Sequence, residues 1–321
     1  MKKIINIILI FLILIITYEL LTESQNIITS IRFACDIWIN SIFPSLFPFF
    51  VVSEILVNLG LPDFLGELFK NISNKLFKIS GQSAFIIIMS LISGFPSSGK
   101  YTKELYENKV IDENEASKIL MFTHFSNPLF ISATICTIFL DNINVAWIIF
   151  LSHYLSNFII GILVRNFHPS KLKKEKISLK NAFNSIFEKR RKSNESFGTI
   201  LTNSILNSIS TLFNILGVIS IFLALTTLIK THIDLSPIWE AILSGLFEMT
   251  HGIKEISLLN ISLNLKIILS TMLISFGGFS VHMQIYSIIS DTKIKYWPFL
   301  CGRIMHFSFS GIICFLIFSF I

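Results

Sequence analysis

"SGFPSSGKYT", residues 93–102, comes within one residue of a nucleotide-binding loop. Gly94, four further residues, Gly99 and Lys100 match the first seven positions of G-x-x-x-x-G-K-[ST]. Tyr101 then stands where a magnesium-binding hydroxyl belongs, and Thr102 comes one residue late. Such a loop holds phosphate only between a buried strand and a helix of a βαβ unit. Here "QSAFIIIMSLISGF" (82–95) precedes it, and a polar helical stretch, 101–118, follows. Fourteen uncharged residues are too short for a membrane-crossing helix, which takes about twenty. The pattern predicts a re-entrant hairpin over 82–110, turning at Gly94–Gly99 and leaving through its polar arm. Nucleotide hydrolysis is excluded, and nothing else in the chain suggests an enzyme or a bound cofactor.

The composition explains why such a hairpin is at home here. The chain has 321 residues, 52% hydrophobic and 14% charged, with mean hydropathy +0.70. A soluble domain carries about 25% charged residues, so this chain cannot cover itself with polar surface and belongs in a bilayer. The net charge of +6 does not point to nucleic acid, because ten Lys/Arg against three Glu gather in 165–195. That clustering is the signature of a cytoplasmic loop. The four cysteines are scattered, without metal-ligand spacing.

Lys2 and Lys3 precede an apolar run over 4–21 without a cleavage-site pattern, which predicts a retained anchor with a cytoplasmic N-terminus in the bacterial cell membrane. Residues 1–40 form this anchor and an amphipathic connector, and 41–60, with Pro44 and Pro48, is long enough to cross. An amphipathic surface helix is expected over 61–80, then the hairpin, then full spans at 119–140 and 145–164. The basic loop, 166–197, lands in the cytoplasm only if the hairpin does not cross. Beyond it come a span near 200–229, a short apolar piece at 237–249, and spans at 265–290 and 298–320.

The landmarks repeat. Gly94 lies 33 residues before Asn127, and Gly245 lies 33 before Gly278. Each short piece leads to a span broken near its centre, "HFSNPLF" (124–130) and "SFGGFSV" (275–281), and each half ends on a span with a histidine, His153 or His306. The expected fold is therefore all-α and polytopic, with two inverted-topology repeats, 41–165 and 198–321. Short re-entrant pieces and midplane-broken helices place a site at the repeat interface.

Five stretches carry a family resemblance: "SGFPSSGKYTKELYENKVIDENEASKIL", "FSNPLFI", "GLFEMTHGIKEI", "SFGGFSVHMQI" and "GRIMHFSFSGI". Over about 40–320 they resemble the sporulation integral membrane proteins of the YlbJ type. That type is similar to a nucleoside-recognition or gate-domain superfamily, shared with concentrative nucleoside transporters and the membrane gate of ferrous-iron permeases. The resemblance implies a membrane protein of an endospore former, acting alone, as a homo-oligomer or with sporulation membrane partners; it names no substrate.

The candidate site follows from the breaks and from ionisable groups at membrane depth. Ser97, Ser98 and Lys100 sit at the first tip, where helix N-terminal amides attract polar groups; Lys100 snorkelling to headgroups is the plainer alternative. Asn127–Pro128 and Gly277–Gly278 free backbone groups that protein, water or ligand must satisfy, and Ser280 and Gln284 follow the second break. Glu248, Arg303 and His306 are costly in lipid and functional by default, with Glu248 and Arg303 expected to pair. His153 and His306 read more readily as hydrogen-bonded structural groups. Two functions remain open: a transporter or gate for a small polar, nucleoside-like solute, and a non-transporting scaffold for spore-envelope assembly. The first calls for one water-reachable cavity lined by these residues, the second for residues that satisfy one another.

Overall fold

A computed structural model describes residues 2–168, 178–180, 182–184, 186 and 195–320. Most of the basic loop expected over 166–197 lies outside the described residues. Helix α1, Lys2–Thr22, is followed one residue later by a helix running Ser24–Asn58 in three parts. These are α2 (Ser24–Ile37), a π-helical turn (Trp38–Ile42) and α3 (Phe43–Asn58). The amphipathic stretch before residue 40 is continuous with the helix that runs on to Asn58. The π turn lies directly before Pro44, whose ring excludes the ordinary bond back to residue 40. Amphipathic α4 (Leu61–Phe77) then leads to the predicted hairpin, α5 (Ser83–Ser93) and α6 (Ser97–Glu107).

Glu115, in α7 (Glu113–Ile119), accepts bonds from the Ser80 amide (2.7 Å) and the Ser83 hydroxyl (2.6 Å). It therefore ties the entry of the first hairpin to the helix that follows its exit. A continuous span over 119–140 does not form. The helix ends at Ile119, residues 123–127 are irregular, and a π-helix takes over from Phe130 to Phe139. Helix α8 (Ala146–Leu163) completes this half.

The second half opens with α9 (Phe197–His232) and a second hairpin, α10 (Pro237–Phe247) and α11 (Met249–Leu258). Lys230 gathers both ends of this hairpin, 3.8 Å from Glu240 and 2.7 Å from Glu255. The broken pair α12 (Leu263–Phe276) and α13 (Gly278–Ile289) and the long α14 (Tyr296–Phe320) follow. Corresponding elements begin 154 residues apart (Ser83, Pro237), 152 apart (Ser97, Met249) and 150 apart (Ala146, Tyr296). The periodicity near 151 residues read from sequence landmarks is thus an element-by-element correspondence.

Five segments are long and apolar enough to cross a membrane: Ser24–Asn58, Ile143–Asn166, Phe197–His232, Leu263–Ile289 and Tyr296–Phe320. No strand occurs among the described residues. Outward-facing Trp147, Leu151, Leu155, Ile304, Ile312 and Phe315 are exposed, as suits side chains that meet lipid. This is a multi-pass helical membrane protein.

One buried cation pins the edge of the first half. The Lys118 ammonium donates to the carbonyls of Phe77 (3.1 Å), Lys78 (2.8 Å), His168 (3.4 Å) and Arg165 (3.5 Å). These carbonyls belong to the C-terminal ends of α4 and of the α8 segment, where helices leave acceptors unpaired and favour positive charge. Lys118→Met removes the donor and strands four acceptors, at an expected cost of about 3 kcal/mol. A detergent-solubilised thermal-unfolding assay should show the loss, with membrane insertion retained.

Candidate functional site

Breaking a helix in lipid exposes carbonyls that would cost several kcal/mol each if left alone. Arg303, fully buried on α14, serves both breaks at once. Its guanidinium donates to Met121 O (2.9 Å) and His124 O (3.2 Å) in the first half, and to Ser275 O (3.2 Å) in the second. It also reaches the Asn157 side-chain oxygen (3.1 Å) and His306 Nδ1 (2.7 Å). Gly302 lets α14 come this near, because a Cβ there would lie 2.2 Å from Met121 O.

The surrounding histidines follow from the rule that arginine only donates. His306 Nδ1 must accept, so its Nε2–H donates to His153 O at 2.7 Å. His153 Nε2 accepts the Ser126 amide (3.0 Å), so its Nδ1–H donates to the Ser275 hydroxyl (2.9 Å). His282 Nε2–H donates to Phe276 O (3.2 Å) while Nδ1 accepts from the Tyr296 hydroxyl (2.7 Å). Asn157 and Tyr154 complete the layer on His124 O (2.8 Å) and Ser126 O (3.1 Å). All three hydrogen-bonded rings are neutral imidazoles with an assigned tautomer. The expected Glu248–Arg303 pair does not form. Arg303 is held by the unpaired backbone, and the Glu248 carboxylate instead caps α11 by accepting the His251 amide at 2.8 Å.

Each hairpin tip meets the break of its own half. A Cβ on Gly94 would fall 2.5 Å from the Asn127 amide nitrogen, and the Asn127 amide group donates to Ile92 O (2.9 Å). Asn127 Oδ1 accepts from the amides of Leu129 (2.8 Å) and Phe130 (3.2 Å). Asn127 is thus the N-cap of the following helix, and Pro128, which needs no amide partner, occupies its first turn. In the second half, Gly278 (φ +71°) presses on the other tip, with its missing Cβ 3.0 Å from Met249 N and 3.2 Å from Phe247 O.

Between the tips lies a chamber of about 30 Å³ lined by Phe95, Ser126, Asn127, Glu248, Thr250 and Gln284, among others. It has room for a water molecule or two. The buried Ser126 hydroxyl has no protein partner, and buried Glu248 has no cationic partner among the described residues.

The predicted site residues therefore divide. Asn127, Glu248 and Gln284 line the chamber, while Ser97 and Lys100 line a second cavity of about 520 Å³. Ser98, Pro128, Gly277, Gly278, Ser280, Arg303 and His306 line neither. Lys100 does not reach for headgroups. It pairs with Glu54 at 2.8 Å, and Asn207 donates to the same oxygen at 3.2 Å. Sequence reasoning passed over Glu54, although a lone carboxylate inside an apolar span was a usable signal. Ser126 and Thr250 beside the tips carried no signal of their own. At the edge of the bundle, the Lys103 ammonium donates to Asp291 (2.7 Å) and holds its carboxyl below the usual range.

The chain is 28% identical to the sporulation integral membrane protein YlbJ of Bacillus subtilis (strain 168), over 91% of this chain and 78% of that one. It is similar to the YlbJ type over most of its length. At that coverage the likeness extends into both halves of the YlbJ-type chain. No family model matches, and no solved structure does.

The geometry separates residues that hold the fold from residues that face free space. Arg303→Lys replaces a planar five-donor fork by a point charge and should cost about 3–5 kcal/mol, as for a broken buried network. Gly278→Leu should also fail at folding, since its side chain meets backbone. Gln284→Leu should leave the melting temperature within a few degrees of the parent. Size-exclusion profiles and thermal unfolding of the three variants in detergent check this division.

Proposed function

We propose that the chain binds a small polar solute between its two hairpin tips and passes it across the membrane by rocking two inverted halves. The observation that carries this reading is the single chamber lined from both halves, by Phe95 and Asn127 on one side and Glu248 and Gln284 on the other. An inverted relation is supported by how the halves meet. The rings of His153 and His306, equivalent positions, lie 4.6 Å apart. Asn157, one turn further along α8, pairs with Arg303, almost a turn earlier on α14. The two helices therefore run antiparallel through equivalent residues, as a two-fold axis in the membrane plane requires. The hairpins are also tied at different places, the first by Glu115 beside α7, the second by Lys230 at the far end of α9.

At about 30 Å³ the chamber is too small for a nucleoside, so loading a solute of that size requires the tips to part. Its lining offers a carboxylate, two carboxamides and two hydroxyls, which suit a polar solute rich in hydrogen-bond donors. The protein would sit in the bacterial cell membrane with its N-terminus in the cytoplasm, and the name of its YlbJ relative points to a part in spore formation. A scaffold role is the second reading, favoured by the Arg303 layer, in which most of the guanidinium's donors hold backbone carbonyls and neighbouring side chains.

Thermal-shift screening of the purified protein against nucleosides, nucleobases, amino acids and divalent metals tests the proposal. A solute at 100 times its Kd adds about 2.7 kcal/mol, and Gln284→Leu should abolish that shift without changing the unliganded melting temperature. A flat response across all four classes in the parent protein would leave the scaffold reading ahead.

A further inference from the structure

The cavity of about 520 Å³ lies outside the chamber, and its walls continue the chamber's walls by one step. On α3 the lining passes from Leu46 to Phe50, at the first tip from Phe95 to Pro96, and on α13 from Gln284 to Ser287. Each helical step is about one turn, ~5.4 Å. Ile215 of α9 lines both spaces. The partition between them is therefore one side chain thick, made by Ile215 and the Phe95–Pro96 tip.

The outer cavity is polar where a lipid-facing cleft should be apolar. Lys100, Ser97, Ser210, Thr211, Asn214 and Ser287 line it, although Ser210 and Asn214 lie well inside the apolar helix Phe197–His232. Thr211 and Ser97 donate their hydroxyls to the Asn207 and Gly94 carbonyls. Exposed polar side chains such as Ser210 and Asn214, by contrast, are tolerated at this depth only where water reaches them. Lys100 is the charged lining residue, and Glu54 already balances it at 2.8 Å. The space is thus rich in hydrogen-bonding groups, with the Lys100 ammonium as its charged lining group. About one turn further along the chain from Lys100 and Ser287 stands the Lys103–Asp291 ion pair, and the Lys295 amide donates to the Ser117 hydroxyl. These groups share the side of the molecule where Lys118 holds Arg165 and His168, at the start of the basic segment.

We infer that this cavity is a water-filled vestibule for polar solutes, opening on the face of the basic segment, and that Ile215 with the Phe95–Pro96 tip is the gate between it and the chamber. The inference rests on the solute-chamber reading, but its test needs neither transport nor an identified solute.

Single cysteines at Ser210, Ser287 and Ser126 are placed in a background with the four native cysteines removed, and labelled in oriented membrane vesicles. The probe is a charged, membrane-impermeant methanethiosulfonate. S210C and S287C should react from the face bearing the basic segment. S126C, inside the chamber, should react slowly there, and at least tenfold faster once Ile215→Ala is added. Phe95→Ala supplies a second opening of the same gate should Ile215→Ala not fold. Reaction of S210C and S287C with lipid-soluble maleimide alone would make the cleft a lipid groove and overturn the vestibule. Labelling of S126C from the opposite face, indifferent to both gate variants, would overturn the gate. A failed solute screen with the expected labelling pattern would overturn the transport reading and leave the vestibule in place.

Discussion

The guanidinium of Arg303 is the interaction on which the remaining architecture depends. A helix interrupted inside a membrane leaves carbonyls that neither lipid nor neighbouring apolar side chains can satisfy. This molecule has two such interruptions, at 121–127 and at Gly277–Gly278, and one fork of donors reaches the acceptors of both. The charge is held by carbonyl dipoles, an amide and an imidazole, with no carboxylate among its bonds. Removing it would strand acceptors in both halves together, so each break depends on the other half of the molecule for its partner.

From that constraint the roles of the neighbouring polar groups follow. His153, Tyr154, Asn157 and His306 each hold a backbone atom or a group that holds one. They form a densely bonded layer in which the Arg303 Nε–H and both ring nitrogens of His124 have no hydrogen-bond partner. Ser126, Glu248 and Gln284 stand apart from it, at the chamber, where free volume begins. Buried polar residues in this protein thus fall into two populations, and hydrogen-bond accounting separates them where residue type does not.

The tips and breaks explain how a chamber persists in a packed bundle. Gly94 against Asn127 and Gly278 against Phe247–Met249 are backbone-to-backbone contacts that fix each tip on its own half. The chamber is what remains between two such units, and its shape responds to how the units are placed. A shift of one hairpin would join it to the larger polar cavity beyond Ile215.

Membrane residence and the helical class were legible in the chain, because they rest on local apolar length and charge clustering, as was the turn between the helices Ser83–Ser93 and Ser97–Glu107. So were the two breaks, announced by Asn127–Pro128 and Gly277–Gly278. What those breaks become was not legible. Asn127 stood out as a residue inside a kinked span; it lines the chamber and also caps the helix that follows it. Glu248 and Arg303 looked like partners because opposite charges in lipid usually pair, yet the unpaired carbonyls of another half outcompete the carboxylate for the guanidinium. Glu54 and Lys100 meet across 46 residues, and Met121 and Arg303 across 182. Partner choice of that kind is decided by which backbone groups the tertiary fold leaves unsatisfied, and no local pattern in the sequence carries that information.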